Sequence, residues 1–283
     1  MIHLEQLHFG YQKKVPLFEN LSLKLESGHI YGLFGVNGAG KTSLIRLIGG
    51  LLTPHRGQVL TLGYQARKRH VDMLGDLYVI PEEVFVPAVS IKKYVAIHSC
   101  FYKKFCKETL ESVLADFEID EKMQLSHLSY GQKKKFLIAF AIATNTSVLL
   151  MDEPINGLDI PSKSQFRKIM VKYMNSHRCV LVSTHQARDL SSIIDHMLII
   201  HKGQLIFNES VAMITDKLKF ELLEQKDDNV FYGEEVFGGW ACISKNQGQP
   251  GRIDFELLFN GIIKKGDFIN QYIKGGINEN GNI

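Results

Sequence analysis

The chain has 283 residues, of which 45% are apolar, and its 33 basic and 30 acidic residues give a net charge of +3 at pH 7. This length suits one large domain with an appendage or two small domains. The near-neutral net charge gives no indication of nucleic-acid binding, which a strongly basic chain would have suggested. The longest uncharged apolar run, Phe136–Ala143, has eight residues, so we expect no membrane-spanning helix, no signal peptide and a cytosolic location.

The first half of the chain predicts strands followed by helices. Apolar and polar residues alternate over residues 1–34, which predicts half-buried antiparallel strands, and Val59–Tyr64 predicts one more. A helix is predicted after residue 40 and ends at Gly49-Gly50, before a proline. Residues 90–144 have a helical pattern without a convincing strand.

The segment after residue 144 returns to strands. Val148–Met151 and Cys179–Val182 are short, continuous apolar runs separated by the helical segment Ser162–Asn175. Runs of this kind indicate a parallel sheet that is buried on both faces. His196–Phe207 predicts a closing pair of strands around Gly203.

Residues 211–283 are less informative. Phe220–Gln225 and Ile253–Ile263 have the pattern of short helices, whereas Asn229–Val236 and Gly239–Lys245 are typical of strands. The end of the chain, from Gly275 onward, is predicted to be frayed. A small packing appendage is favoured over a regulatory or dimerising extension.

The segment GVNGAGKT, residues 35–42, fits the phosphate-binding template G-x-x-x-x-G-K-[ST]. It follows the apolar run Ile30–Phe34 and opens a helix, an order that aims backbone amides and the positive helix end at phosphate oxygens. Lys41 would reach the β- and γ-phosphates, and the Thr42 hydroxyl would bind Mg²⁺. The alternative is a glycine-rich turn with a surface lysine. The predicted nucleotide-binding residues of this segment are Gly35, Asn37, Gly38, Ala39, Gly40, Lys41, Thr42 and Ser43.

Two acidic residues follow the apolar run Val148–Met151. A phosphate-binding loop needs a carboxylate at the end of a neighbouring buried strand to hold Mg²⁺, and Asp152 has this position. Glu153 would then lie beside the γ-phosphate, where a carboxylate can polarise the attacking water. The alternative is an ordinary solvated strand end, which the preceding phosphate-binding loop disfavours.

Two further segments add an anion site and an imidazole. The sequence LSYGQ, residues 128–132, precedes a helical run, so Ser129 and the free amides of that helix can bind an anion. His185 follows the run Cys179–Val182 and is therefore predicted at the same edge of the sheet. By itself, the LSYGQ segment is more typical of a helix cap, and a single histidine such as His185 is more typical of a structural residue.

In this order the segments resemble the ATP-binding subunits of ABC transporters, over about residues 1–210. The resemblance implies an α/β fold, a P-loop NTPase of the ABC type with a mostly parallel core sheet, an antiparallel β-subdomain and an α-helical subdomain at about residues 90–144. Residues 211–283 would be a small C-terminal extension. The resemblance also implies an ATPase that uses ATP and Mg²⁺, with Glu153 and His185 as catalytic residues and Thr42 and Asp152 at the metal.

The resemblance assigns roles to residues that are not informative by type alone. Tyr11 matches the aromatic residue that stacks on adenine, with Phe9 as the competing candidate and core packing as the alternative for either. Residues 156–159 match the D-loop, which in the family runs between the two sites of a dimer. The signature residues that the resemblance implies in nucleotide binding are Ser129, Gly131 and Gln132.

The chain departs from the family pattern at two positions. The signature has Tyr130 where the family usually has glycine, and Glu82 stands where the family usually has glutamine. A carboxylate at residue 82 would add negative charge at the metal, so Glu82 is included among the expected Mg²⁺ ligands. The pair Pro81-Glu82 is similar to the ABC-2-type export branch. The basic cluster Lys133–Lys135 is expected to be a solvated face, with lipid headgroups or acidic partners as alternatives.

The resemblance implies a subunit that powers a separate membrane-spanning permease, an exporter, from the cytoplasmic face of the membrane. We expect it to work as a homodimer, or as a heterodimer with a related ATPase subunit. The alternative is a soluble ABC-type ATPase that acts on nucleic acid, ribosomes or a protein assembly. A single nucleotide-binding domain and a near-neutral charge count against this alternative, so no nucleic-acid partner is expected.

Overall fold

The structure is a computed structural model, and it describes residues 1–12, 15–225, 230–248 and 251–275. Within these residues the strands form three sheets, connected by helices. The strands are Ile2–Phe9 (β1), Phe18–Leu25 (β2), Ile30–Phe34 (β3), Arg56–Thr61 (β4), Tyr64–Gln65 (β5), Leu77–Ile80 (β6), Val148–Asp152 (β7), Cys179–Thr184 (β8), His196–His201 (β9), Gln204–Ser210 (β10), Leu218–Leu223 (β11), Tyr232–Val236 (β12) and Gly239–Lys245 (β13). The helices are Lys41–Ile48 (α1), Val71–Leu74 (α2), Ile91–His98 (α3), Lys107–Asp116 (α4), Tyr130–Ala143 (α5), Ile160–Tyr173 (α6), Ala187–Leu190 (α7), Val211–Lys217 (α8) and Phe255–Ile273 (α9).

The central sheet has the strand order β10-β9-β3-β8-β7-β6. Its neighbours pair in parallel, except for the antiparallel pair of β9 and β10. Every residue of β3, β7 and β8 is buried, as continuous apolar runs require in a sheet that is covered on both faces. The predicted mostly parallel core sheet and its closing strand pair are confirmed.

The second sheet, in the order β2-β1-β4-β5, is antiparallel throughout. Burial alternates along its strands, with Ile2, Leu4 and Leu7 of β1 buried. The prediction of antiparallel strands over residues 1–34 is right for β1 and β2. It is wrong for β3, because a continuously apolar run is stable only where both faces are covered, and β3 therefore lies in the central sheet.

Helices α3, α4 and α5 occupy the segment between β6 and β7, as predicted for residues 90–144. Helix α5 is buried from Phe136 to its end, and its buried residues also include Lys134. The expectation of a solvated face at Lys133–Lys135 is thus wrong for the middle residue. Successive helical residues point about 100° apart, so three consecutive lysines on an enclosed helix cannot all reach solvent.

The C-terminal segment forms a third sheet, in the order β11-β13-β12, that α9 packs against. The predicted helix over Phe220–Gln225 is wrong, because Phe220–Leu223 pair with β13 as part of strand β11. The predicted strand at Asn229–Val236 begins at Tyr232 within the described residues, and Asn229 itself lies outside them. The predicted helix at Ile253–Ile263 is longer than expected, and residues 276–283, predicted to be frayed, lie outside the described residues.

This C-terminal segment packs directly on the central sheet. The Phe255 ring lies 6.3 Å from the Phe34 ring, centre to centre, and Asn270 donates a hydrogen bond of 2.8 Å to the Ile206 carbonyl. The domain boundary near residue 210 therefore stays a prediction. Among the described residues, no helix combines the length and apolar character needed to cross a bilayer.

Candidate functional site

The loop at residues 35–42 joins the end of β3 to the start of α1. Gly40 has φ +110° and caps α1 without a side chain, and a Cβ there would lie 2.7 Å from the Phe18 ring. A Cβ at Gly35 would lie 2.6 Å from the Ile200 carbonyl oxygen. These two glycines let the loop pack tightly while the first amides of α1, at Lys41, Thr42 and Ser43, are left for a ligand.

Lys41 lies inside this loop with only 7% of its surface exposed. Its Nζ atom donates a hydrogen bond of 2.7 Å to the Gly35 carbonyl and lies 3.7 Å from Glu153 Oε1. The ammonium is thus held by backbone and carboxylate oxygens at the place where phosphate oxygens would be bound.

Asp152 and Glu153 end β7, and a residue of β8 holds both of them. The Ser183 hydroxyl donates a hydrogen bond of 2.6 Å to Asp152 Oδ1 and accepts one of 3.0 Å from the Glu153 amide. Ser183 was not singled out from the sequence. Its role follows from the parallel register of β7 and β8, which places Ser183 opposite Asp152.

Glu153 is the centre of the candidate catalytic group. Its Oε1 atom lies 2.9 Å from His185 Nδ1, and the carboxylate is buried. Its backbone has φ +46°, an αL conformation that costs energy for a residue with a side chain and is concentrated at functional sites. The three residues Lys41, Glu153 and His185 therefore meet at the carboxyl edge of the central sheet.

The residues at this edge fit a magnesium ion. Asp152 presents a buried carboxylate, held in place by Ser183, and Thr42 presents a hydroxyl on the first turn of α1. Mg²⁺ prefers oxygen ligands and keeps several of its waters, so a carboxylate and a hydroxyl are a suitable set. Glu82, the third expected ligand, is exposed on the loop after β6.

The two aromatic candidates for adenine stacking differ in exposure. Phe9 is 5% exposed and stacks on the His55 ring, whereas Tyr11 is 64% exposed. The Tyr11 hydroxyl lies 2.9 Å from the Ser43 hydroxyl, a residue of α1 next to the phosphate-binding loop. An exposed ring tied to this loop is available to a base, and a core ring is not.

We expect Tyr11→Ala to weaken ATP binding by about 1–3 kcal/mol, the usual contribution of one base on one aromatic ring. Tyr11→Phe should retain most of the affinity, since it keeps the ring and loses only the hydroxyl contact. Titration with a fluorescent ATP analogue measures both. Phe9→Leu is the control, and a loss of affinity in this variant with none in Tyr11→Ala would reverse the assignment.

The signature residues form a second group, at the start of α5. Ser129 caps this helix: its hydroxyl accepts the Gln132 amide at 3.2 Å, and the Gln132 side chain accepts the Ser129 amide at 2.9 Å. Gly131 packs so closely that a Cβ would lie 3.3 Å from the Gly157 carbonyl. Ser129 is exposed, and the amides of Tyr130 and Gly131 precede the first intrahelical bonds of α5, so they are left for a ligand. Within the described residues, no hydrogen bond or ion pair joins this group to Lys41.

Tyr130 connects the signature to two other loops. Its hydroxyl donates a hydrogen bond of 2.9 Å to the Glu82 carbonyl, and its ring packs on Gly157, where a Cβ would lie 3.1 Å away. A glycine at residue 130 could make neither contact. The departure from the family pattern therefore gives this chain a direct bridge between the loop at Glu82 and the loop at Gly157.

Lys134, one turn further along α5, is fully buried. Its Nζ atom donates hydrogen bonds to the carbonyls of Glu153 at 2.7 Å and Asn156 at 2.9 Å. Burial lowers the pKa of this ammonium, and the charges of Glu82, Glu153 and Asp152 act in the opposite direction. Lys134 thus holds the backbone of Glu153, the candidate catalytic residue, through its carbonyl. This role was not predicted from the sequence.

We expect Lys134→Met to lower kcat for ATP hydrolysis at least about tenfold while changing ATP affinity little. The carbonyls of Glu153 and Asn156 would lose their buried donor, at a cost of about 1–3 kcal/mol each, and the backbone of Glu153 would no longer be held in place. Lys134→Gln, which keeps an amide donor, should recover part of the loss. Lys133→Met on the same helix is the control. Equal losses in kcat and in affinity would contradict a positioning role and indicate general misfolding.

The C-terminal segment also borders the candidate site. A cavity of about 530 Å³ lies beside residues 35–37 and 184–189, and Glu256 and Phe259 of α9 line its other side. Arg188 Nε lies 2.7 Å from Glu256 Oε2. This contact was not predictable, because it joins residues far apart along the chain.

Comparison with known proteins identifies related sequences. The profile of the family described as ABC transporter matches residues 18–156. The SkfA peptide export ATP-binding protein SkfE of Bacillus subtilis (strain 168) is 32% identical over 195 residues, covering 66% of this chain and 80% of SkfE. The bacitracin transport ATP-binding protein BcrA of Bacillus licheniformis is 26% identical over 273 residues, covering 90% of this chain and 87% of BcrA.

Solved structures share the fold. The structure of an ATP-binding subunit of an ABC transporter superposes with a TM-score of 0.69 at 22% identity, covering 76% of this chain and 92% of that chain. A dimeric bacterial ABC transporter cassette superposes with a TM-score of 0.66 at 19% identity, covering 75% and 99%. At these identities the likeness concerns the fold alone, and it confirms the predicted P-loop fold of the ABC type.

Proposed function

The chain belongs to the family of ATP-binding and ATP-hydrolysing ABC transporter proteins, and we propose that it powers a separate membrane-spanning partner that exports a substrate. The observation that supports ATP hydrolysis as the power source is the meeting of Lys41, Glu153 and His185 at one edge of the sheet. This group combines a cation that can bind phosphate oxygens with a buried carboxylate and an imidazole, a set that can position and activate a water for attack on a phosphoanhydride.

Each residue of the group has a chemical task in this proposal. Lys41 exchanges the Gly35 carbonyl for the β- and γ-phosphate oxygens. Glu153 orients a water molecule and accepts its proton as the water oxygen bonds to the γ-phosphorus and the bond to the bridging oxygen of ADP breaks. His185 holds the Glu153 carboxylate in position. A magnesium ion would be held by Asp152 and Thr42, with Glu82 as the third expected ligand, and would neutralise part of the phosphate charge.

We place the second half of each site on a second subunit. The amides after Ser129 and its hydroxyl form an anion-binding group that is exposed and separate from Lys41 within one chain. A two-fold pair would bring this group of one subunit to the phosphate-binding loop of the other, reciprocally at both sites. Homodimerisation is the simplest form of this arrangement, and a related ATPase subunit could replace one copy.

A hydrophobic hollow supports docking of a membrane protein. It has a volume of about 700 Å³ and lies between the central sheet and helices α2, α3 and α5. Val71 and Phe101 border it and are 81% and 65% exposed. Tyr78, Tyr94 and Tyr102 line its wall. Exposed apolar groups around an aromatic-lined hollow are typical of a protein contact. The names of the relatives, transport of bacitracin and export of a peptide, favour an exporter, and the pair Pro81-Glu82 is the feature that resembles the ABC-2 type. The chain would then act at the cytoplasmic face.

Co-expression with the product of a neighbouring reading frame that encodes a membrane-spanning protein tests this proposal. We expect the two proteins to co-elute after detergent extraction, and Phe101→Ser to reduce co-elution. Phe237→Ser is the matched control, because Phe237 is fully exposed on the C-terminal segment. Full ATPase activity without any co-elution, or equal effects of both substitutions, would favour a soluble ATPase that acts on another assembly.

A further inference from the structure

Two histidines and an aspartate meet at the amino edge of the central sheet, opposite the candidate nucleotide site. His29 directly precedes β3, and Asp195 and His196 stand at the start of β9. The strands β3 and β9 are parallel neighbours, and Tyr31 pairs with His196 in their register. The three side chains therefore come from two adjacent strands that begin at the same edge.

The nitrogen and oxygen atoms of this cluster are close enough to share one ion. His196 Nδ1 lies 3.0 Å from Asp195 Oδ1, and His29 Nδ1 lies 3.3 Å from Asp195 Oδ2. One ligand atom from each residue lies within 4.8 Å of the other two. Ligand atoms around a tetrahedral zinc ion, with bonds of about 2.0–2.1 Å, are separated by about 3.3 Å.

The backbone fixes the cluster from three directions. The Asp195 amide donates a hydrogen bond of 3.0 Å to the Ile30 carbonyl, and the Ile30 amide donates one of 3.2 Å to Asp195 Oδ1. The Val211 amide donates one of 2.8 Å to the Asp195 carbonyl. The Tyr31 ring lies 4.9 Å from the His196 ring, centre to centre. The ligand positions are thus set by paired strands rather than by a mobile loop.

Among the described residues, one nitrogen of the cluster has no hydrogen-bond partner. His29 Nδ1 is buried, and its approach to Asp195 Oδ2 does not have hydrogen-bond geometry. An unpaired buried nitrogen is costly for the fold, and a metal ion between nitrogen and carboxylate would satisfy both. This unpaired nitrogen is a further observation that indicates a ligand.

We propose that His29, Asp195 and His196 bind a zinc ion. Two imidazole nitrogens and one carboxylate oxygen are a set of ligands that zinc accepts in proteins, with water completing the coordination. The ion would link the start of β9 to the start of β3, the strand that leads into the phosphate-binding loop. The site is distinct from that of magnesium, which the oxygen ligands Asp152 and Thr42 would hold at the opposite edge.

Calorimetric titration of nucleotide-free protein with ZnCl₂ tests the proposal. The background is Cys100→Ser with Cys106→Ser, which removes the two thiols that are not buried. We expect one zinc ion per chain, at least tenfold weaker binding in His29→Asn and in His196→Asn, and a zinc-dependent rise in Tm that both variants lose. His3→Asn is the matched control, because His3 also lies beside a carboxylate, Glu5 at 3.5 Å, but at an exposed position.

A spectroscopic measurement covers the case in which a variant fails to fold. Cobalt(II) bound in the unsubstituted cluster should give the intense visible absorption of a low-symmetry tetrahedral site, and zinc should displace it. Absence of saturable zinc binding, or the same affinity and the same Tm shift in His29→Asn, His196→Asn and His3→Asn, would overturn the proposal. So would a cobalt spectrum typical of octahedral coordination by water.

Discussion

Replacing Lys41 by alanine is expected to weaken ATP binding at least about 100-fold, rather than only to slow turnover. The ammonium is buried in the loop and is held by the Gly35 carbonyl at 2.7 Å. Hydrogen bonds to a charged group contribute about 1.5–3 kcal/mol each, and the loss of two such bonds to phosphate corresponds to a factor of about 100 or more. Titration with a fluorescent ATP analogue measures the loss directly.

The control for this prediction lies on the same helix. Arg46 is a cation on the exposed side of α1, so Arg46→Ala changes the charge of the helix without touching the loop. Its ATP affinity should remain close to that of the unsubstituted protein. Circular dichroism of both variants establishes whether the fold is retained. Near-normal affinity in a folded Lys41→Ala protein would contradict the assignment of the loop as a phosphate site.

The candidate site was predictable where strand ends determine it. Asp152 and His185 each follow a continuous apolar run, and parallel strands bring such ends to one edge of a sheet. The structure accordingly places Glu153 against both His185 and Lys41. The αL backbone of Glu153 was not predictable, because it depends on the turn into residues 154–159 and on the contacts of the Glu153 carbonyl.

Long-range packing explains what the sequence did not predict. Three consecutive lysines give no local sign of which one is buried, and only the enclosure of α5 selects Lys134. The segment Phe220–Gln225 suits a short helix by its composition, but pairing with β13 makes its first four residues part of a strand. Strand β6 was missed for a related reason, since its four residues become a strand only through pairing with β7. In each case the deciding contact is remote in sequence.

Replacing Glu153 by glutamine is expected to leave ATP binding nearly intact and to reduce hydrolysis by at least about 100-fold, the usual contribution of a positioned general base. The Glu153 carboxylate is buried, and its Oε1 atom contacts both His185 and Lys41. Glutamine has nearly the same shape and can keep a contact with His185. It lacks the negative charge that draws a proton from water, so the chemical step should fail while the ground state forms.

The control for this substitution is a carboxylate away from the site. Glu121 is exposed in the helical segment, and Glu121→Gln makes the same chemical change there. Its rate of phosphate release should match that of the unsubstituted protein. A second comparison uses ADP in place of ATP with Glu153→Gln, since a state held together by the γ-phosphate should not form with ADP.

The same substitution tests whether hydrolysis requires two subunits. If the anion-binding group at Ser129 completes the site of a second chain, ATP links the two subunits and its hydrolysis releases them. A protein that binds ATP but cannot cleave it should then accumulate as a dimer.

Size-exclusion chromatography with light scattering should show a Glu153→Gln dimer with Mg-ATP and a monomer with Mg-ADP. The unsubstituted protein should lose specific activity on dilution, because fewer chains are paired. A Glu153→Gln protein that stays monomeric in saturating Mg-ATP, or a monomeric protein whose specific activity does not change with concentration, would contradict the paired site.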